Sequence, residues 1–512
     1  MASYSLAILE EIFLFFYYKM HNIVLKNIFS GPTLTGSLDL SDILKFDLEL
    51  MYSRHQDDLG NKVRGLVGKG LLESSFGRAI LPYLALKYFL RITKIYYFAE
   101  GEKKNDNFIV FLSYSRQHSK LMMPYIDVLT KNGYRILMVM IMTRMETCIH
   151  SLPKSLRTSI NRLQTGMSWQ FYNTNYHMNN IDVVLDEISK RMKVTSCNWL
   201  PRPSLNTHSM KSILFGKVLW KILFAEFLLQ TFQSIFNSLG YPKSIIICHD
   251  RQIFGRVISL YATRHAIPTL LLQHGLFMSK KAIPEFFADI LAERIGVWGD
   301  TSKRIFVQNT KKPVKIIGSA FYKEWYKYYK DLNLSSREKS GKTLNILFLM
   351  HPPYDREINQ AFLNFSTCLH ERNIANRKIK CAFKIHRNAL ANFRDLLNIS
   401  LNRMRVIGEN EELLNLLMEY DIVITYPSTG ILDACVSGRV PLIYVPNLKK
   451  DEYLLGLQEL SFVDSNNLLE HVYRLCHSRQ MKEMLKHQVH NYLCENLDLG
   501  MDPYEKFIEF LS

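Results

Sequence analysis

Residues able to do chemistry gather in six short polar stretches, each directly after an apolar run: 113–119, 248–251, 273–275, 351–353, 384–387 and 426–430. Gln273-His274-Gly275 closes the run 269–272. An imidazole titrates near neutrality, so His274 is suited to take a proton from an acceptor hydroxyl, and a glycine beside it lets backbone approach a ligand closely. A structural histidine in a strand-end turn is the alternative. Lys384, His386 and Arg387 set up to three cations at the end of another run, where fixed positive charge stabilises a departing phosphate. A solvated basic strand end is the plainer reading.

The run 420–425 leads into Tyr426-Pro427-Ser428-Thr429-Gly430, with a helix expected from near Ile431. Hydroxyls and free N–H groups at a helix start form an anion site, which assigns Ser428, Thr429 and Gly430 to a donor phosphate. Asp433 falls in the first helical turn, placed to bond a ribose or sugar hydroxyl or simply to complement the helix dipole. Ser428 and Thr429 could equally be mere N-caps. Asp250, in Cys248-His249-Asp250-Arg251, is a second base or a group that orients His274; a loop ion pair is its alternative. On the acceptor side stand Ser115, Arg116, Gln273 and Gly275.

Several chemistries are disfavoured by what is missing. The chain has no G-x-x-x-x-G-K-[ST] phosphate loop, no G-x-G-x-x-G after its first strand and no H-E-x-x-H. It has no D-x-D pair, so metal-dependent transfer of the single-domain kind is not expected and no metal ligand is assigned. No cofactor is expected. The eight cysteines include no C-x-x-C pair, which fits a reducing compartment and small apolar roles.

Elements that would carry these stretches can be read from the apolar runs. Runs at 108–112, 135–142, 244–248, 268–273, 290–298 and 314–317 read as strands of a first α/β domain, with a helix at 256–265. Runs at 344–350, 381–385, 404–407, 421–425 and 441–445 read as a second. Strands alternating with helices make parallel sheets, and such sheets bind ligands beyond the carboxyl ends of their strands. The organisation expected is a helical N-terminal extension over 1–106, including a helix over 81–98. An acceptor domain at 107–326 follows, then a polar linker at 327–342, a donor domain at 343–478 and helices over 479–512.

The 512 residues carry a formal charge of +17. That balance suits phosphate-bearing substrates, polyanions or an anionic membrane surface. No Lys/Arg-rich run or aromatic RNA-binding motif is present, so nucleic acid is not expected as a partner. With no signal peptide and no spanning run, a cytoplasmic location is expected. Residues 211–239 are apolar with Lys211, Lys217 and Lys221 at one end, and read either as a membrane-surface segment or as a core helix.

Taken together, Leu271-Leu272-Gln273-His274-Gly275-Leu276, Val297-Trp298-Gly299-Asp300 and Ile316-Ile317-Gly318-Ser319 resemble bacterial capsule and surface-polysaccharide glycosyltransferases of the GT-B type. Phe383-Lys384-Ile385-His386 and Ser428-Thr429-Gly430 with Asp433, Gly438 and Pro441 are similar to their donor domain. CDP-glycerol glycerophosphotransferases and CMP-sugar transferases share the likeness. It covers residues 108–460; Arg387 stands where these enzymes usually carry proline. The resemblance implies two Rossmann-like doubly wound domains. It also implies His274 as base, His386 on the donor phosphates, a nucleotide-sugar donor and a glycan or lipid-linked glycan acceptor. The expected activity is inverting transfer from a CMP-, CDP- or UDP-linked sugar. A CDP-polyol phosphotransferase, a UDP-sugar 2-epimerase and a non-enzymatic polyanion-binding protein are the competing readings.

Overall fold

The computed structural model describes residues 94–100, 108–142, 170–171, most of 225–250, 252–276, 290–331, 342–351, 356–370, 372–385, 404–408, 411–446, 457–500 and 502–511. Along the chain come β1 (Lys94–Glu100), β2 (Phe108–Ser113), α1 (Arg116–Lys131), β3 (Arg135–Met142), β4 (Gln170–Phe171) and β5 (Ser244–Ile247). Next are α2 (Ile253–Arg264), β6 (Thr269–Leu272), β7 (Arg294–Val297), α3 (Asp300–Asn309), β8 (Val314–Ile316) and α4 (Ala320–Asp331). After these follow β9 (Thr343–Leu349), α5 (Arg356–Leu369), β10 (Asn373–Ile374), β11 (Arg377–Lys384), β12 (Arg405–Ile407) and α6 (Leu413–Leu416). The series closes with β13 (Ile422–Thr425), α7 (Gly430–Val436), β14 (Val440–Tyr444), β15 (Ser461–Phe462), α8 (Ser465–His477), α9 (Arg479–Leu497) and α10 (Pro503–Leu511).

Two compact units result. The first takes the described residues up to Ser115, Arg135–Met142 and those from 170 to Leu271; the second takes Arg116–Tyr134 and everything from Leu272 on. The second unit therefore begins well before the linker expected at 327–342. In the first unit the strands run β4-β1-β3-β2-β5-β6. Pairs β2–β3, β2–β5 and β5–β6 are parallel, while β1 pairs β3 and β4 antiparallel. Every residue of β2, β5 and β6 is buried, as parallel strands covered on both faces require, and this is why they read as unbroken apolar runs.

In the second unit β7 and β8 pair in parallel, and β9 to β15 form another sheet. Its order is β10-β11-β9-β13-β14-β15, with β12 on the edge of β11 away from β9. All pairs are parallel except the short β10–β11 ribbon. Counting β9, β11, β12, β13, β14 and β15 as one to six gives the order 3-2-1-4-5-6. That is the doubly wound nucleotide-binding arrangement, and its order reverses between β9 and β13. The expected α/β class with parallel sheets holds.

Three expectations change. Residues 94–98, read as the end of a helix, belong to β1. Ile95-Tyr96-Tyr97-Phe98 is β-branched and aromatic, and it pairs along β3. Residues 1–93 lie outside the described residues, so the helical extension does too. The polar stretch from 327 is helical to Asp331, where α4 buries Tyr329 as it buries Ala320, Phe321 and Tyr322 at its start. Finally, the described part of 211–239 is helical and buries Ala225, Leu228, Leu229, Phe232, Ile235 and Phe236, the spacing of a core-facing stripe. Among the described residues no helix is long and apolar enough to cross a membrane.

Candidate functional site

In each unit the parallel order reverses at one point among the described strands, and the stretches that follow β2, β5, β9 and β13 begin there. In the first unit it lies between β2 and β5. The Tyr114 hydroxyl donates to the His249 carbonyl at 2.9 Å, tying the two strand ends together. Ser115 is half-buried, and its carbonyl accepts from the Ser113 hydroxyl at 3.0 Å. Asp250 is only 1% exposed, so it is a buried carboxyl rather than one displayed at the rim. Close packing explains the tight turn into α2: a Cβ on Gly255 would lie 1.9 Å from the His249 oxygen. Arg116 opens α1 in the second unit; its side chain lies outside the described residues.

In the second unit the reversal lies between β9 and β13. At the end of β9, His351 is held by a reciprocal pair. Its N–H donates to Asn359 Oδ1 at 2.8 Å, and Asn359 Nδ2 donates to its carbonyl at 3.1 Å. Asn359 is 1% exposed. The His351 and Tyr426 rings meet edge to face with centroids 5.0 Å apart, joining the two strand ends. Beyond β13 the Thr425 and Ser428 hydroxyls lie 3.2 Å apart, and Gly430 N–H donates to Ser428 Oγ at 3.3 Å. The helix begins at Gly430, one residue before the expected Ile431. Thr429 occupies the cap position without a side-chain cap bond.

The segment 273–275 comes to this same turn. A Cβ placed on Gly275 would lie 3.5 Å from Thr429 Oγ1, so the Gly275 backbone sits beside the Thr429 side chain. Two glutamines fix the segment. Gln273, 2% exposed, accepts from Trp298 N–H at 2.8 Å through Oε1 and donates from Nε2 to the Gly275 carbonyl at 2.9 Å. Gln117 Nε2 donates to the His274 carbonyl at 3.4 Å. The Gln273 amide, expected on the acceptor side, is turned inward onto protein. His274 itself is half-buried, and the His118 ring stands edge to face with it at 5.0 Å between centroids.

On the donor side, the Lys384 ammonium donates to the Gly408 carbonyl at the end of β12. Its backbone carbonyl accepts from Met350 N–H at 3.0 Å, which sets it level with the end of β9. His386 and Arg387 lie outside the described residues. Asp433 is half-buried, and its Oδ1 accepts from the Tyr322 hydroxyl at 3.0 Å. Burial raises this carboxyl to about 7, the nearby Glu412 adding to the rise, while the Tyr322 hydroxyl and Lys120 pull the other way. Lys120 and Glu412 form an ion pair. Tyr322 is 2% exposed, and burial followed by the Asp433 charge pushes its phenol well above the usual range.

Sequence reasoning passed over three of these residues. Gln117 and His118 stood in the polar stretch 113–119, directly after Ser115 and Arg116, the residues chosen from it, so a signal existed. Tyr322 carried none. Its partner Asp433 is 111 residues away, and an aromatic in a helix ordinarily reads as core. Among the described residues no group of three or more His, Cys, Asp or Glu is arranged to hold a metal ion.

The parallel sheets and the 3-2-1-4-5-6 strand order make this a doubly wound α/β protein, with hydroxyls and an apposed histidine segment near the reversal of its second sheet. No protein-family model matches the chain, and no curated protein matches it. Solved structures do. UDP-GlcNAc 2-epimerase from Neisseria meningitidis, bound to UDP-GlcNAc, aligns with a TM-score of 0.47 and 12% identity, over 79% of this chain and 99% of the other. A glycosyltransferase from Rickettsia africae aligns with a TM-score of 0.44 and 10% identity, over 80% and 98%. A wall teichoic acid polymerase aligns with a TM-score of 0.40 and 9% identity, over 80% and 89%.

Proposed function

We propose that the protein is an inverting glycosyltransferase that moves a sugar from a CMP-, CDP- or UDP-linked donor to a hydroxyl of a surface glycan. One observation carries this reading. In the second unit the strand order reverses at β9/β13, and the segment bearing His274 lies against the hydroxyl turn at that point. Nucleotides bind at such reversals, beyond the carboxyl ends of the strands. The same place therefore offers a nucleotide seat and an imidazole.

In the proposed reaction, neutral His274 accepts the proton of an acceptor hydroxyl. That oxygen attacks the anomeric carbon, and the bond from this carbon to the nucleotide phosphate breaks, its electron pair leaving with the phosphate. Ser428, Thr429 and Lys384, joined by His386 and Arg387, offset the charge that develops there. Asp433 accepts from a donor hydroxyl. Gln273 and Gln117 hold the His274 backbone, so the base is placed before substrate arrives. Residues 343–478 form the donor side in this scheme, and the acceptor is a glycan or lipid-linked glycan. A cytoplasmic site, with contact to an anionic membrane surface, accords with the +17 charge.

His274→Ala tests the reading. Transfer should fall by about 10²- to 10⁴-fold, the usual contribution of a general base, while nucleotide binding persists. Unchanged turnover removes the assignment. A thermal-shift series with UDP, CDP, CMP and GDP identifies the donor nucleotide, because a ligand selective for the native state raises apparent stability. Sugar inversion with a nucleotide sugar alone would assign the protein to 2-epimerisation, and release of CMP with polyol phosphate transfer to CDP-polyol chemistry.

A further inference from the structure

We infer that Tyr322 is a positioning residue, holding Asp433 through its hydroxyl so that the second carboxyl oxygen faces the donor. This rests on the donor reading of Asp433. Tyr322 is placed by packing: it lies on the α4 face turned inward, 2% exposed, with its ring edge to face against Trp298 at 5.4 Å between centroids. The Trp298 N–H in turn is bound to Gln273. Tyr322 thus spans from the wall that fixes the His274 segment to the carboxyl beyond β13. Its hydroxyl meets Oδ1 at 3.0 Å, and Oδ2 accepts from none of the described residues. A buried phenol needs an acceptor, and a carboxyl held at one oxygen keeps a fixed rotamer with the other oxygen available.

Among the described residues, five ionisable groups face Asp433. Tyr322 and Tyr329 come from α4, Lys120 from α1, Glu412 from the residue before α6, and Cys435 from its own helix. Tyr492 of α9 faces Tyr322. Lys120 is paired with Glu412, so it leaves Asp433 little net positive charge. Among the described residues the phenol is the one close donor to the ionised carboxyl, whose titration burial has moved up to about 7. An ionised carboxylate is the better acceptor for a donor hydroxyl. Nucleotide affinity should therefore rise as pH increases through that range.

The test uses the full-length protein, with Tyr322→Phe and Asp433→Asn. Phenylalanine keeps the ring against Trp298 and removes only the hydroxyl. Two quantities are read from pH 5.5 to 9: equilibrium binding of UDP, CDP, CMP and GDP, and the Asp433 carboxyl titration by carbon NMR without nucleotide. In the wild type, affinity should rise with pH about 10-fold across the titration of the carboxyl. Tyr322→Phe should move both the binding curve and the carboxyl titration up by about one pH unit, and Asp433→Asn should flatten the binding curve. At pH 9, where Asp433 is ionised in both proteins, Tyr322→Phe should keep the wild-type thermal midpoint yet bind nucleotide more weakly than wild type; wild-type affinity there would show that the hydroxyl sets ionisation and not position. An unmoved carboxyl titration in Tyr322→Phe overturns the pairing. Wild-type binding by Asp433→Asn at every pH overturns the donor contact. If no nucleotide binds the wild type but Tyr322→Phe still moves the titration, the pair stands and the donor reading is what fails.

Discussion

Gln273 shows how a single buried side chain can hold a segment from within, and under the proposed transfer it would act on His274 without meeting substrate. Its amide is used twice on protein, accepting from Trp298 and donating to the Gly275 carbonyl, on either side of His274. Gln273→Ala would leave the buried Trp298 N–H without its partner, at a cost of about 1–3 kcal/mol. The expected result is a lower urea midpoint together with a kcat loss larger than any change in nucleotide affinity. A variant with the wild-type midpoint would show that the amide is not holding the segment. This inward role could not be read from residue order, because the Trp298 N–H that claims Gln273 comes from a neighbouring strand end 25 residues on. The position of His274 at a strand end, by contrast, followed from the apolar run before it.

At the scale of elements, the strands were the legible part and the short edges were not. β2, β5, β6 and β13 are buried throughout, and a strand covered on both faces must be apolar at every residue. β4, β10 and β15 have two residues each, too few to make a run. β1 was misread because its aromatic residues suit a helix as well as a strand until the partner β3 is known. The end of α4 was read as linker because Lys327, Tyr328, Lys330 and Asp331 are exposed and polar. The β5–α2 turn gives a sharp test. With a Cβ only 1.9 Å from the His249 oxygen and 2.7 Å from Asp250 Cα, Gly255→Ala must displace backbone, and overpacking of this kind costs about 1–3 kcal/mol or more. Loss of soluble protein or a steep fall in thermal midpoint is expected. Normal stability would mean that the turn yields easily.

For the molecule as a whole, Asp433 links folding to pH. Its carboxyl ionises near 3.8 in an unfolded chain and at about 7 when folded, so the folded state favours the proton. The stability this gives is full below pH 4, declines as pH rises and is gone above about 7. Asp433→Asn should consequently match the wild type in thermal midpoint near pH 4 and exceed it by several degrees at pH 8. Equal midpoints at pH 8 would mean that the carboxyl is not held out of water. The +17 charge belongs to this scale as well, because it bears on which polyanions approach and how salt weakens them rather than on any one bond.

The near-contact of Gly275 with Thr429 makes a molecular caliper. With 3.5 Å from a hypothetical methyl to the threonine oxygen, alanine fits at ordinary van der Waals separation, whereas leucine must wedge the strand end from the turn. Gly275→Ala should bind nucleotide and turn over at near wild-type levels. Gly275→Leu should remain folded yet lose nucleotide binding at least 10-fold by titration calorimetry. Graded between these two, side chains at one position would report how wide an opening the chemistry tolerates.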